Sequence, residues 1–130
     1  MKIIYPRVCG IDVRKKFIVA VICISESVEP VYLKKRFSTF HNDLIRFRDW
    51  LIQNDCQNVC MESTGKYYIP VYNILESHIS NIVVANPKWV RAVKGEKDDD
   101  KDAKWIADLF KFGIVRSSFI PQKDFRILRE

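Results

Sequence analysis

The fold of this chain is decided by residues 8–13, which read Val8-Cys9-Gly10-Ile11-Asp12-Val13. Such a nearly continuous apolar, β-branched run predicts a strand that is buried on both faces of a sheet. Asp12 is out of place in it, because an unpaired buried carboxylate costs several kcal/mol. We therefore consider Asp12 a candidate site residue. The alternative is an acid that ends the strand and pairs with Lys15 or Lys16 in the following turn.

The segments around this stretch predict an α/β fold with a mixed sheet. Residues 17–25 form a second apolar run, joined to the first as a hairpin by the turn 14–16, and a third strand with a wet face follows at 31–37. Apolar residues at i, i+4, i+7 and i+11 then predict a helix over 40–51 with Thr39 as its N-cap. Later elements are expected at 59–61 (strand), 65–77 (helix), 82–85 (strand), 87–93 (helical turn) and 99–112 (helix). This order, β-β-β-α-β-α-β-α, allows helices on both faces of the sheet.

Composition excludes several classes of protein. The chain of 130 residues carries 22 Lys and Arg against 16 Asp and Glu, a formal net charge of +6, and 48% of its residues are apolar. These values are typical of one soluble globular domain with an acidic partner such as nucleic acid. The four cysteines form no CxxC pair, which favours reduced core thiols over a disulfide framework or a zinc site. The longest apolar run, Phe17–Ile24, is too short for a bilayer span of about 20 residues, so we expect a cytoplasmic protein with no membrane partner.

A second acid stands at the end of a strand. Glu62 follows the apolar run 59–61 and precedes Gly65, which is predicted to open a helix. In mixed α/β sheets, ligands gather beyond the carboxyl ends of parallel strands. If the first and fourth strands are neighbours, Asp12 and Glu62 meet at that edge. The alternative for Glu62 is a place near the positive end of the helix dipole, with Thr64 as the cap.

The third acidic segment is the run 97–102. Acids in the first turn of a helix are favourable to its dipole by about 0.3–1 kcal/mol each, which is one explanation for them. At about 100° per residue, Asp99 falls within about 30° of the centre of this helix's apolar stripe, and Asp102 lies about 60° from Asp99. Asp98 lies about 130° from the centre of the stripe, and Asp100 and Asp102 point to nearly opposite sides of the helix. We therefore expect Asp99 and Asp102 to face the sheet or its edge.

Four acids from three separate segments would repel one another unless cations lie between them. Oxygen-only ligands suit Mg²⁺ or Mn²⁺, and two such ions about 3.5–4 Å apart stabilise the attacking and leaving oxygens of a phosphoryl transfer. Basic residues near these acids are candidate nucleic-acid contacts, and a solvated surface is the alternative for them. They are Arg14, Lys15, Lys16, Lys88, Arg91 and Lys97, with the run 34–36 as a further candidate.

Four short motifs follow one another along the chain, namely Gly10-Ile11-Asp12-Val13, Glu62-Ser63-Thr64-Gly65, Asn86-Pro87 and Asp99-x-x-Asp102-Ala103 followed by Trp105-Ile106-Ala107. Each motif is weak alone, but the four in this order and spacing make a strong signal. Together with the element order, they resemble the RuvC-like DEDD domain of bridge-RNA-guided transposases, the insertion sequence 110 family. The chain departs from that family at Arg14, Asp98 and Asp100, where small or apolar residues are usual.

The resemblance implies a ribonuclease H-like (RuvC-like) fold over residues 1–130, with a mixed five-stranded sheet of order 3-2-1-4-5 flanked by helices. It implies a DNA transposase that cleaves and exchanges DNA strands, in which Asp12, Glu62, Asp99 and Asp102 are catalytic residues that bind Mg²⁺. The implied partners are DNA, a structured guide (bridge) RNA and, in the full-length protein, further copies of the same chain. A second, C-terminal domain, which we expect to be absent from this chain, would supply a serine nucleophile.

Three other functions stay open at this point. An actin-like phosphotransferase would need a glycine-rich phosphate turn after Asp12, and residues 14–16 contain no glycine. A junction-resolving endonuclease that works alone would use the same metal chemistry without a partner domain. A non-catalytic nucleic-acid-binding module would use the acids only to cap a helix.

Overall fold

The computed structural model describes residues 2–63, 65–85, 99–114 and 117–119, without the side chains of residues 99–102 and 117–119. Its strands are β1 (Arg7–Val13), β2 (Phe17–Ile24), β3 (Val31–Ser38), β4 (Asn58–Ser63), β5 (Asn81–Ala85) and β6 (Ser117–Phe119). The helices of the described ranges are α1 (His41–Gln53), α2 (Tyr68–Leu75) and α3 (Asp99–Lys111). The predicted order of elements is confirmed, while the helical turn predicted at 87–93 lies outside the described residues.

The strands form one mixed sheet with the order β3-β2-β1-β4-β5-β6. Strand β2 is antiparallel to β1 and β3, whereas β4 is parallel to β1 and to β5. The predicted order 3-2-1-4-5 is therefore confirmed. The short strand β6 pairs antiparallel with β5 and adds an edge that the sequence analysis did not predict. Because β1 lies between two neighbours and under helices on both faces, six of its seven residues are buried.

One face of the sheet packs against α1 and α2. Alternate residues of a strand point to opposite faces, so every second residue of β1, β2 and β4 contributes to this core. Its largest fully buried side chains are Ile11, Ile18, Ile22, Phe47, Leu51, Met61 and Leu75. This is the main core of the domain, and it contains none of the predicted site residues.

The opposite face packs against α3. The apolar stripe predicted for this helix is buried, as expected, and consists of Ala103, Ile106, Ala107 and Phe110. The helix backbone comes very close to the sheet at Gly10: a Cβ atom placed there would lie 2.2 Å from the carbonyl oxygen of Ala103 and 2.5 Å from the amide nitrogen of Ala107. Glycine is therefore required at position 10 by the close approach of two backbones.

The start of α1 differs from the prediction. The helix begins at His41, and its N-cap residue is Phe40, which makes no side-chain cap hydrogen bond. Thr39 is not the N-cap, because its hydroxyl donates to the carbonyl of Lys15 at 2.8 Å and its N–H donates to the carbonyl of Lys16 at 3.1 Å. Phe40, predicted as the first apolar residue of the helix, is exposed. A contact between two loops has thus replaced the predicted cap.

Two glycines set the ends of the other helices. Gly65 has a φ of 58°, in the left-handed region that an α-helix does not use, so α2 begins at Tyr68 and not at Gly65 as predicted. Gly113 has a φ of 72° and follows the end of α3, as expected of a glycine that stops a helix.

The four cysteines are free and buried, as the sequence predicts. Burial raises the pKa of the Cys9 and Cys60 thiols and raises the pKa of Cys56 to about 11, so all three thiols are neutral at pH 7. In the ranges that the structure describes, no helix is long and apolar enough to cross a membrane.

Candidate metal and nucleic-acid site

Asp12 of β1 and Glu62 of β4 lie side by side. The two strands are parallel and hydrogen-bonded, and their register pairs Asp12 with Glu62. Neighbouring strands are about 4.8 Å apart, so the two carboxylates extend from adjacent positions of the backbone. The prediction that these acids meet on adjacent parallel strands is confirmed.

Both acids point to the α3 face of the sheet. Because side chains alternate along a strand, Asp12 shares a face with Gly10 and Glu62 shares a face with Cys60, and both of these residues meet α3. Each acid is the second-last residue of its strand. Only 3% of Asp12 and 8% of Glu62 is exposed. Two buried carboxylates at this spacing need positive charge close by.

Part of that charge comes from Arg14, directly after β1. Its Nη2 and Nε donate to Oδ2 of Asp12 at 3.1 Å and 3.3 Å. The arginine side chain is 29% exposed, so it reaches from the surface to a buried carboxylate. Lys15 or Lys16 was the partner predicted for Asp12, and the contact with Arg14 was not predicted. The available signal was the i, i+2 spacing, which puts two residues of an extended chain on one face.

Helix α3 runs antiparallel to β1 and directs its N-terminus towards the acid pair. At the C-terminal end of the helix, the carbonyl of Lys111 accepts the N–H of Tyr5, just before β1 begins. Near the other end, Ala103 lies over Gly10, two residues before Asp12. The helix therefore starts at the same end of the sheet where β1 and β4 carry their acids.

The remaining predicted acids belong to the first turn of α3. The helix begins at Asp99 and includes Asp102, so the backbone places both at the helix end that points to the acid pair. Their side chains lie outside the described part of the structure, and the convergence of all four carboxylates stays a prediction. Asp98 is not among the described residues.

The chemistry of the acid pair fits a hard divalent cation. Cys60 lies next to Glu62 on the same face, but burial first, and then the charge of Glu62, raise the pKa of its thiol. In the absence of a metal ion this thiol is protonated. The remaining donors are carboxylate oxygens, which suit Mg²⁺ or Mn²⁺. Among the side chains described, no three or more of His, Cys, Asp and Glu come together as a metal site, so Asp12 and Glu62 stand as a pair.

The predicted nucleic-acid contacts fall into two groups. Lys15 and Lys16 are exposed in the turn between β1 and β2, and Arg14 in the same turn is held on Asp12. The others lie outside the described residues: Lys88, Arg91 and Lys97. The described cations among these six therefore come from a single turn, and the further candidate run 34–36 lies on β3.

An arginine of the candidate run 34–36 lies over an aromatic ring on the same face, a contact that was not predicted. The guanidinium carbon of Arg36 lies 3.7 Å from the centroid of the Phe17 ring. Arg36 pairs with Val19, and Val19 pairs with Asp12, which pairs in turn with Glu62. Residues opposite one another in a sheet share a face, so Arg36 and the acid pair belong to one row. The signal was the register of the two hairpins, which their turns fix.

Two solved structures share the fold of this chain. Thermus thermophilus RuvC in complex with a Holliday junction substrate superposes with a TM-score of 0.61 at 13% sequence identity, covering 87% of this chain and 99% of that chain. The fowlpox virus resolvase in complex with Holliday junction DNA superposes with a TM-score of 0.56 at 13% identity, covering 80% and 97% of the two chains. The predicted RuvC-like, ribonuclease H-like fold is confirmed.

The sequence itself shows the family. No curated protein matches the chain significantly. The family model for DEDD transposases of insertion sequence 110, whose description is transposase, matches residues 9–130. This range begins within β1 and includes all four predicted acids, so the resemblance noted from the motifs is confirmed. The chain therefore belongs to the DEDD transposase family of insertion sequence 110.

Proposed function

We propose that this domain supplies the metal-binding carboxylates for DNA strand cleavage and exchange in transposition guided by a structured RNA. The observation that carries the proposal is the in-register pair of Asp12 and Glu62, buried at the carboxyl ends of adjacent parallel strands. Family membership supports the reaction class. Acids that only cap a helix need no buried position inside a sheet, which argues against a non-catalytic binding module.

The proposed ligands of Mg²⁺, or of Mn²⁺ in its place, are Asp12, Glu62, Asp99 and Asp102. When bound, the ion would neutralise charge on the phosphate oxygens during phosphoryl transfer. The protein's part is to hold the carboxylates in fixed positions. The parallel ladder fixes the first two, and α3, which touches the backbone at Gly10, carries the other two. Burial of the first pair limits competition from bulk water.

The nucleic acid would be held by cations beside the acid pair. Arg14, Lys15 and Lys16 are proposed contacts to the phosphate backbone, and the net charge of +6 supports such binding. The same role is proposed for three cations outside the described residues, Lys88, Arg91 and Lys97.

The remaining parts of the proposal follow from the family resemblance. Base pairing with the guide RNA would choose the target DNA, and a serine from a C-terminal domain would act as the nucleophile. Copies of the full-length protein would assemble around the DNA and RNA in the cytoplasm.

Metal binding tests the proposal in the chain itself. Titration with Mn²⁺ should raise the melting temperature of the parent chain, because a ligand that binds only the folded state stabilises it by RT ln(1 + [L]/Kd). Asp12→Asn and Glu62→Gln should each abolish the rise. Asp49→Asn, which changes a half-exposed acid of α1, is the matched control and should respond like the parent. A parent melting temperature that millimolar Mn²⁺ leaves unchanged would contradict the proposal.

The reaction is tested in the full-length protein with a matched RNA and DNA pair. We expect Mg²⁺-dependent recombination that Asp12→Asn removes, and no recombination by residues 1–130 alone. Recombination by this chain alone would overturn the two-domain mechanism and favour one run by the four acids only.

A junction-resolving endonuclease is the second candidate function. It is favoured by the fold, because both similar structures contain a Holliday junction. The test is cleavage of a synthetic four-way junction by this chain with Mg²⁺ and without RNA. Cleavage that is lost in Asp12→Asn would support this candidate over a transposase domain that needs its partners.

A further inference from the structure

Phe40 is the most exposed aromatic residue in the described part of the chain. Its exposed fraction is 80%, although its spacing from Leu44 and Phe47 predicted a place in the core. The next apolar positions of α1 are buried as predicted. A single exposed apolar residue needs no explanation by itself, so its surroundings decide what it can do.

Two lysines lie in the turn that is hydrogen-bonded to the loop containing Phe40. Thr39 donates hydrogen bonds to the carbonyls of Lys15 and Lys16, which ties the connection between β3 and α1 to the turn between β1 and β2. Both lysine side chains are exposed. The structure thus presents an open aromatic ring and two cations on two loops that are hydrogen-bonded to each other.

A second ring and a third cation complete this surface. The guanidinium carbon of Arg36 lies 3.7 Å from the centroid of the ring of Phe17, the first residue of β2, and Arg36 remains exposed. Stacking holds the guanidinium plane in one orientation, which lowers the entropy lost when it binds a phosphate. We refer to Lys15, Lys16, Phe17, Arg36 and Phe40 together as the basic–aromatic corner.

The basic–aromatic corner lies at the end of the sheet that carries the acid pair. The N–H of Arg14 donates to the carbonyl of Phe17 at 2.9 Å, and the side chain of Arg14 contacts Asp12. Arg36 is two strands away from Asp12 in the same row, a distance of roughly 10 Å. A nucleic-acid strand rises about 3.4 Å per stacked nucleotide, so one held at the acid pair would reach the corner within a few nucleotides.

We propose that the basic–aromatic corner binds an unpaired nucleotide of the strand held at the acid pair, with its base stacked on Phe40 and its flanking phosphates contacted by Lys15, Lys16 and Arg36. The inference rests on the proposed function, which places a nucleic-acid strand at the acid pair. It adds the position at which a nucleotide of that strand is unpaired. An exposed aromatic ring near cations is typical of single-strand binding sites, which tolerate any base.

Charge favours a nucleotide over a protein at this surface. An apolar protein partner would bury three cations without compensation, which is costly. A second copy of the chain, related by two-fold symmetry, would bring the same cations together across the interface. A polyanion such as a nucleic acid avoids both costs, because its phosphates neutralise the three cations.

The experiment compares single-stranded and duplex probes. Phe40→Ala should weaken binding of an oligothymidine of about 12 nucleotides by roughly 5- to 100-fold and leave the affinity for a duplex of the same length within about twofold. Its salt dependence should match that of the parent, because phenylalanine contacts no phosphate. Lys16→Gln should instead lower the slope of log K against log salt by about 0.7 on the single strand. Oligouridine in a parallel arm tells whether DNA or RNA is preferred.

A second variant reports on stacking directly. Phe40→Trp should keep the affinity, and its emission should be quenched on oligonucleotide binding by more than that of the parent, whose three tryptophans give the background. Val28→Trp places an indole at a fully exposed site in the connection between β2 and β3 and should be quenched no more than the parent.

The outcomes separate this inference from the proposed function. Unchanged single-strand affinity in Phe40→Ala, together with a metal response that depends on Asp12, would overturn the corner and leave the proposed function standing. Quenching in Phe40→Trp without any such metal response would support the corner and overturn the metal site. A Phe40→Ala variant that changes oligomeric state and not oligonucleotide affinity would assign the corner to a second copy of the chain.

Discussion

Arg14 donates two hydrogen bonds to a single oxygen of Asp12, Oδ2, and so puts a fixed cation on one of the two carboxylates proposed to bind metal. The guanidinium and a divalent ion would compete for the same electron pairs. Metal binding therefore includes the cost of moving Arg14 away from Asp12. A side chain without a charge at this position would carry no such cost, so Arg14 is expected to make this chain's metal affinity lower than that of a variant without the cation.

Arg14→Gln should therefore bind Mn²⁺ more tightly than the parent. The lost hydrogen bonds to a charged group correspond to about 1.5–3 kcal/mol, or roughly 10- to 150-fold in Kd. Electron paramagnetic resonance of free Mn²⁺ measures the affinity without any assay of activity. The control is Arg46→Gln, which removes an exposed arginine that pairs with Asp43 on α1 and should not change the affinity. Weaker binding in Arg14→Gln would show that Arg14 supports the metal site.

Gly10→Ala should destabilise the domain and also weaken its metal response. The added Cβ meets backbone atoms of α3 that no side-chain rotation can move, so the cost lies at or above the upper end of about 1–3 kcal/mol. Gly65→Ala is the control. Its Cβ would lie within 4 Å of no atom of the described residues, so the only cost is that of its left-handed φ, about 1–2 kcal/mol. Urea unfolding measures both losses, and an intact Mn²⁺ response in Gly10→Ala would show that α3 is not needed for metal binding.

Tyr32→Phe should loosen the attachment of α3 to β3. The Tyr32 hydroxyl donates to Oδ1 of Asp108 at 2.7 Å, and the Lys104 ammonium lies 4.5 Å from the centre of the tyrosine ring. Removing only the hydroxyl keeps the cation–π contact and should cost about 1 kcal/mol in urea unfolding. Tyr32→Leu removes both contacts and should cost more. Equal stability of the two variants would show that the ring contact contributes nothing.

The buried Cys56 thiol should make stability fall in alkaline solution. Burial raises its pKa from the ordinary 9.0 to about 11, so the unfolded chain loses this proton first. The stabilising contribution is therefore complete below pH 9.0 and is lost as the pH rises to about 11. Urea unfolding at a series of pH values measures the loss, and Cys56→Ala should show a shallower decline. An identical decline in both proteins would assign the effect to other groups.

Hydrophobic patterning predicted most of the fold, because the runs 8–13 and 17–25 are long, rich in β-branched residues and separated by a clear turn. The apolar stripe of α3 was predicted for the same reason, since its period is regular. The partner of Asp12 was harder to predict. The i, i+2 spacing favours Arg14, but residues 14–16 were predicted as a turn, where alternation along an extended chain does not fix the direction of each side chain.

The errors of prediction lie where tertiary contacts, and not the local sequence, determine the structure. Thr39 is a good N-cap residue by type, yet its hydroxyl bonds the neighbouring turn, and this leaves Phe40 in solvent. No local pattern contains that information, because the carbonyl of Lys15 is 24 residues away along the chain. The short strand β6 was missed since three residues carry too little periodicity to distinguish them from a loop.

The contact of α3 with Gly10 also determines where this protein can tolerate sequence divergence. The spacing between helix and strand is fixed there by main-chain atoms, while the larger core lies on the opposite side of β1. Side chains under α1 and α2 can therefore change in size over evolution and alter stability without changing how far α3 stands from β1. At position 10 the reverse holds, because one added methyl group would push the backbone of α3 away from β1.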